Sequence, residues 1–324
     1  MLTAQTVVSP KETSYFVVAI VLAVCGWLAL TLMTVGVIWI ILVILGVVVW
    51  FANGLLVAGL RADAVEVHPN QLGRLDSAFR QVCATLGVAR IPELYIIQSG
   101  GALNAFATRH AGRHFVVIYS DMLEALGPDS PEMRFLLGHE IGHIRRHHVL
   151  MRLLLAPALF LPLIGPAYSR SCETTCDRHG VLAAGDVDSS MRAMMTLAGG
   201  KTVGREMDPH HFAEQNLARR GFFVSWYELI SGYPTLSRRV RDLRLLAGDR
   251  PEAAPSRNPI AYLFALVTFG GGFGGRGSFI TTLFLIYMIA IMSAVSMPAI
   301  NAALKKAHER QRQMQQPEQY ETQP

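Results

Sequence analysis

Charge is what this chain is short of. Only 16% of its 324 residues are Asp, Glu, Lys or Arg, against 51% hydrophobic, whereas an ordinary soluble domain is about a quarter charged. That balance excludes a conventional soluble globule and points to a membrane protein. From Thr13 to Leu60 there is no charged residue at all, a run of 48. Cysteine is scarce as well. Cys25 sits in an apolar run, Cys83 stands alone, and Cys172 and Cys176 are four apart on a predicted helix, so no disulfide framework is specified. The Cys172/Cys176 pair reads as small packing residues, with metal binding as the weaker alternative. The surplus of five positive charges is not interleaved with aromatics, which excludes a nucleic-acid interface. It fits anionic lipid or basic loops on the inner side of a bilayer.

One bilayer crossing takes about 20 residues, so the uncharged run accommodates two helices, roughly 15–34 and 37–56, with a tight turn near Gly36. A cleavable signal peptide is disfavoured: the run is too long, and Lys11 and Glu12 make a weak leader. The pattern from 61 onward turns mixed. Asn70 to Gly87 reads as an amphipathic helix with Leu72, Leu75, Phe79, Val82 and Leu86 inward. Glu93–Gln98, Leu103–Thr108 and His114–Tyr119 read as short strands, separated by Gly100-Gly101 and by Ala111-Gly112.

Gly138-His139-Glu140-Ile141-Gly142-His143 then carries an H-E-x-x-H pattern. On a helix, residues four apart lie one above the other, so His139 and His143 can offer two imidazoles to one metal ion, with Glu140 beside it. Zinc held by three protein ligands keeps a position open for water and lowers its pKa to about 7. Glu140 is placed to take that water's proton. Upstream, Asp129-Ser130-Pro131-Glu132 carries a capping side chain, a proline suited to the first helical position and an early acid. Met133, Leu136, Leu137, Ile141 and Ile144 follow at helical spacing.

The apolar stretch Val149–Tyr168 contains Pro157, Pro162 and Pro166 and is too short for two crossings. One crossing would separate the histidines from any ligand beyond it. The stretch therefore reads as a hairpin at the membrane surface or as apolar packing against the spans, with Arg145, Arg146, His147, His148 and Arg152 at headgroup level. Beyond it, Glu173 and Asp177 are one helical turn apart. That spacing suits a metal ligand and a hydrogen-bond partner for a ligand histidine, and equally suits a solvated helix face.

Four stretches in order give the chain a specific resemblance: Asn104-Ala105-Phe106-Ala107, His139 to His143, Ser169 to Asp177, and Tyr233-Pro234 through Arg239-Val240. It resembles the HtpX-type membrane zinc metallopeptidases, the family that also includes the CaaX prenyl endopeptidases and the Oma-type proteases. The resemblance spans roughly residues 70–248. It implies an α+β, mainly helical gluzincin-type domain with a small β-sheet, carried on transmembrane helices. It also implies one zinc ion per chain on His139, His143 and Glu173, Glu140 as general base, Asp177 as support behind a ligand histidine, and an Asn104–Ala107 strand that binds substrate. Tyr233 stands where the family has histidine, so that histidine's role does not transfer. A tyrosine there can donate to a developing oxyanion or simply pack before a helix, and Arg239 would be structural or substrate-orienting.

Residues 178–248 read as mostly helical, with a loop from Gly199-Gly200 to about Asp208 and a surface pair at His210 and His211. Residues 249–258 read as a linker, 259–300 as two further apolar segments that would bring the spans to four, and 301–324 as a disordered tail. The resulting expectation is an integral membrane zinc endopeptidase of a bacterial cell membrane with its catalytic domain in the cytoplasm. It would cut polypeptides, damaged or misassembled membrane proteins in particular. Two alternatives are a non-proteolytic scaffold that keeps the fold and a site-2 type intramembrane protease. Against the latter, Arg134, Arg145 and Arg146 flank the motif, and no N-P-D-G-like partner follows.

Overall fold

The computed structural model describes residues 6–98, 100–218, 220–250, 256–269 and 271–273, together with Lys305, His308 and Glu309. The second C-terminal apolar segment, most of the tail and residues 251–255 of the linker lie outside the described residues.

Two long helices open the chain: α1 (Pro10–Met33) and α2 (Val37–Asp63). Gly36 turns between them at φ +81°, a left-handed conformation that costs glycine little. Both are long and apolar enough to cross a membrane, and only 11% and 6% of their most apolar windows is buried. That is the reverse of a soluble core helix, which hides its apolar surface. α2 extends seven residues beyond the expected span, and its last turns place Val57 and Leu60 against Tyr95, Phe115 and Val117 of the sheet.

The sheet contains β1 (Val65–Glu66), β2 (Glu93–Ile97), β3 (Ala105–His110) and β4 (Arg113–Tyr119), in the order β1-β2-β4-β3. β2 and β4 are parallel, and the β3–β4 hairpin is antiparallel. Its two-residue turn holds Ala111 at φ +47° and Gly112 at φ +76°, the twist that joins right-handed strands. The expected second strand is shifted by two residues: Asn104 precedes β3, and its carbonyl accepts from Tyr119 N–H at 3.1 Å. Alternation then sorts the two faces. Leu94, Ile96, Val116 and Ile118 face the main core, shared with Leu75, Phe79, Val82 and Leu86 around α3 (Gly73–Thr85). Leu72 does not point inward as the periodicity predicts. It caps α3 in a left-handed conformation (φ +66°) and is 41% exposed.

After α4 (Ser120–Leu126) comes the motif helix α5 (Pro131–Arg145). Ser130 caps it, its hydroxyl oxygen accepting from Met133 N–H at 2.9 Å. Met133, Leu137 and Ile141 are fully buried against the sheet. The proline-rich stretch forms α6 (His148–Leu154) and α7 (Ala156–Phe160), a folded-back connection that returns the chain as α8 (Ile164–Ala184). Within it, Leu155, Ala158 and Leu159 pack with Ala19 and Ala23 of α1 and with Tyr168 and Cys172 of α8. α9 (Val187–Glu206), α10 (Pro209–Ala218), α11 (Phe222–Ile230), α12 (Leu236–Ala247) and α13 (Pro259–Leu266) complete the described helices. The loop expected from Gly199 to Asp208 does open with a break in the helix at Gly200, but the residues after the break are helical to Glu206. The chain kinks only at Gly200 (φ +78°), because Gly204 and Gly199 allow the following turn to fold back closely.

α5 and α8 lie in very close contact. A Cβ at Gly138 would stand 2.5 Å from Ala183 Cβ, one at Gly142 3.2 Å from Cys176 Cα, and one at Gly180 2.7 Å from the Phe135 ring. Each glycine substitutes missing volume for what would otherwise be a larger helix separation. Gly138→Ala should therefore destabilise the metal-free protein by about 1–3 kcal/mol through overpacking. Ala183→Gly in the same chain should restore part of the loss, both read as melting temperature of the full chain in detergent.

Candidate metal and catalytic site

The close α5–α8 packing sets the ligand geometry. His139 and His143 project from one face of α5, and Glu173 comes across from α8. His139 Nε2 lies 3.4 Å from Glu173 Oε2, and His143 Nε2 lies 3.6 Å from Glu173 Oε1. One ligand atom from each of these side chains falls within 4.8 Å of the other two. Glu173 is 1% exposed, and its Oε1 is a buried oxygen without a hydrogen-bond partner. Two imidazole nitrogens and an unsatisfied buried carboxylate are a donor set that fits zinc.

The electrostatics favour a cation there. Burial alone would lower the basicity of His139, yet hydrogen bonds to Asp177 and Glu173 push its ring up to about 10. Burial likewise opposes ionisation of Glu173, but His143 and His139 outweigh it and hold the carboxyl well below the usual range. Acid is thus concentrated where a positive charge would sit. His143 behaves oppositely: burial pushes it down to about 3.

Behind the ligands, the two acids on α8 divide their work. Asp177 Oδ1 accepts from His139 Nδ1–H at 2.9 Å, which directs the other ring nitrogen toward Glu173. Asp177 is held in turn by Arg239 of α12, whose Nε donates to Oδ2 at 2.8 Å and whose Nη2 donates to Oδ1. Arg239 sits one turn into a helix capped by Thr235, so the tyrosine-proline stretch before that cap brings the guanidinium to the site. Arg239 both pairs with Asp177 and lines the cleft.

Glu140 is buried beside the ligands. Burial first, and then the neighbouring Glu173 charge, raise its pKa. Its carboxylate receives the backbone N–H of Ala107, so β3, which ends the sheet order, turns its open edge toward α5. Asn104, Ala105, Phe106 and Ala107 all line the same cleft of about 1030 Å³ as Glu140 and Tyr233. Tyr233 is 40% exposed there. Burial of its phenol, then Glu173, raise its pKa and keep the hydroxyl protonated.

Arg152, Arg146 and His148 are also part of the site's surroundings. Arg152 Nη2 lies 3.7 Å from Glu173 Oε1. His148 is 2% exposed and its Nδ1 lies 3.0 Å from His143 Nδ1, and Arg146 pairs with Glu12 of α1 at 3.0 Å. Only His148 left a local trace, as a histidine close behind the motif. His210 and His211 remain exposed at the start of α10, their N–H groups capped by Asp208. Cys172 and Cys176 are buried and unbridged, and each falls in a further group that could hold a metal, Cys176 with His143 and His148 and Cys172 with Glu12 and His148.

Residues 69–164 match the model of Peptidase family M48. The match contains His139, Glu140 and His143 and stops before Glu173. Plastoglobule-localized metallopeptidase 48, chloroplastic, of Arabidopsis thaliana is similar over 169 residues at 29% identity, covering 47% of this chain and 48% of that protein. The chain thus spans about half the length of this curated relative. No solved structure matches. Sequence similarity and site geometry therefore meet on a metallopeptidase domain.

Asp177→Asn keeps the shape but replaces the acceptor that fixes the His139 ring. Metal affinity measured by chelator competition should fall about 10–100-fold.

Proposed function

We propose that this chain is a membrane-anchored zinc endopeptidase of the HtpX type. The observation that carries the reading is the convergence of His139, His143 and Glu173 on one buried point, with Glu140 between that point and an open strand edge. Zinc on these three donors would supply a Lewis acid and an acidified water.

The chain's own residues would do the rest. A substrate peptide would add to β3 as an antiparallel strand, since an edge offers unpaired backbone groups to an extended chain. Its carbonyl would then face the cleft. The Glu140 carboxylate would take a proton from the attacking water and later deliver it to the leaving nitrogen. Its raised pKa suits both steps, because a general base works best with a pKa near the working pH. The Tyr233 hydroxyl, kept protonated, would donate to the carbonyl oxygen as negative charge develops. Asp177 and Arg239 would hold the His139 ring.

α1 and α2 would anchor the domain in the membrane of a bacterial cell, with the cleft at the cytoplasmic surface. Substrates embedded in the same bilayer would be held near it, which favours damaged or misassembled membrane proteins as the substrate class. α5 carries Arg134 and Arg145 and is not among the described helices apolar enough to span, which weighs against an intramembrane site-2 mechanism.

The test is cleavage of an unfolded membrane-protein reporter by the full chain in detergent. Glu140→Gln should lower turnover by about 10²–10⁴-fold with bound zinc unchanged. Chelation should abolish cleavage and added zinc restore it. Equal cleavage by wild type, Glu140→Gln and chelated protein would overturn the proposal. A chain that binds zinc but never cleaves would favour the scaffold. Tyr233→Phe should lower kcat on the order of 100-fold with KM little changed; an unchanged kcat would return Tyr233 to a packing role.

A further inference from the structure

We propose that Glu12 and His148 form a relay that sets the tautomer of His143, so that the first membrane helix is a working part of the metal centre. The inference rests on the zinc reading above and adds a positioning pair to it.

Glu12 lies in the first turn of α1, yet it is 2% exposed, as is His148. Glu12 Oε1 lies 3.3 Å from His148 Nε2 and accepts from Arg146 Nε at 3.0 Å. On the far side of the same imidazole, His148 Nδ1 faces His143 Nδ1 at 3.0 Å. An ionised carboxylate can only accept, and a neutral imidazole carries one N–H and one lone pair. Glu12 therefore draws the His148 proton to Nε2 and leaves Nδ1 as an acceptor. Of two ring nitrogens in hydrogen-bond contact one must donate, so His143 carries its proton on Nδ1. Its Nε2 lone pair is then free on the side of Glu173.

Without Glu12 the opposite arrangement becomes available. His148 would donate from Nδ1, His143 would accept there, and the His143 proton would sit on Nε2, where a metal must bind. His139 has the same need met directly by Asp177. Each ligand imidazole thus has a carboxylate behind it, one in contact and one reached through a second ring. Cys176 Sγ, 3.6 Å from His148 Nδ1, is the other group on that nitrogen. A protonated thiol is only a weak donor and competes poorly with an imidazole N–H.

Glu12 is held in place independently of these contacts. Thr175 Oγ1 accepts from Ser9 N–H at 3.1 Å, and Arg178 donates to the Val8 carbonyl at 3.2 Å. Both partners lie on α8 among the residues around Glu173 and Asp177, so the start of α1 is fastened to the helix that carries the third ligand. Gly26 of α1 also meets Pro157 closely enough that a Cβ there would stand 2.6 Å from the ring carbon.

The full chain, purified in detergent and stripped of metal, would be titrated with zinc against a competing chelator, and the metal-free protein melted in parallel. Glu12→Gln should weaken zinc binding about 10–100-fold, the effect of Asp177→Asn. In a chain already carrying His148→Leu, Glu12→Gln should cost nothing further, because members of one relay are not additive. Zinc affinity unchanged by Glu12→Gln, in protein where Asp177→Asn does weaken it, would overturn the relay and leave the zinc site standing. So would additive losses in the double variant, or a loss confined to the metal-free melting temperature, since all of these describe a merely structural contact. Two zinc ions per chain would also overturn it, by making His148 a ligand. Failure of the wild type to bind zinc would remove the zinc site itself, a result distinct from the others.

Discussion

The structure depends on how closely α5 can approach α8. Metal ligands from two helices converge only if the axes lie near enough for short side chains to meet, and Gly138, Gly142 and Gly180 remove the volume that would hold them apart. Phe135, Leu137 and Ile141 then lock α5 against its neighbours. Interiors pack densely enough that this separation is set to within tenths of an ångström, and the ligand distances inherit that tolerance. The motif histidines are adjacent on any helix, but the carboxylate that completes the set arrives through packing.

Around that contact the buried charges balance in layers. Glu173 sits inside, with Arg152 near one oxygen. Asp177 and Glu12 stand behind the two imidazoles, and each acid is backed by an arginine, Arg239 and Arg146 respectively. A buried carboxylate without a partner would be costly, and an arginine without one equally so. Paired, they orient the rings at little net expense. The arrangement is nearly symmetric in role although its members come from α1, α5, α6, α8 and α12 and the short turn before α6.

The two N-terminal apolar helices and the domain are correspondingly hard to separate. α1 packs on α7 and α8 through Ala19 and Ala23, and α2 runs out into the outer face of the sheet. The proline-broken stretch serves as a short return that keeps α5 and α8 on one side. A single bilayer crossing at that point would have put the motif histidines and Glu173 on opposite sides.

Local spacing was sufficient for everything that depends on helix or strand period. The two N-terminal apolar helices, the capped motif helix, the amphipathic α3 and the three main strands were legible because each is written in contiguous residues with its own start and stop signals. The Ala111-Gly112 hairpin turn was legible for the same reason. What period could not show were conformations imposed by neighbours: Leu72 turned outward at a left-handed cap, and the chain resuming as helix after the break at Gly200.

By itself, then, the sequence determined that His139 and His143 share a helix face with Glu140 beside them, and that a long uncharged segment precedes them. The roles of Glu173 and Asp177 came only as what the resemblance implies; that Glu173 faces the pair while Asp177 stands behind one ring, and that Arg239, Arg152, His148 and Glu12 close around them, was decided by tertiary structure. The reason is physical: a helical repeat reaches four residues, whereas Glu12 and His148 are 136 positions apart. Contacts at that separation are written in the packing of whole helices.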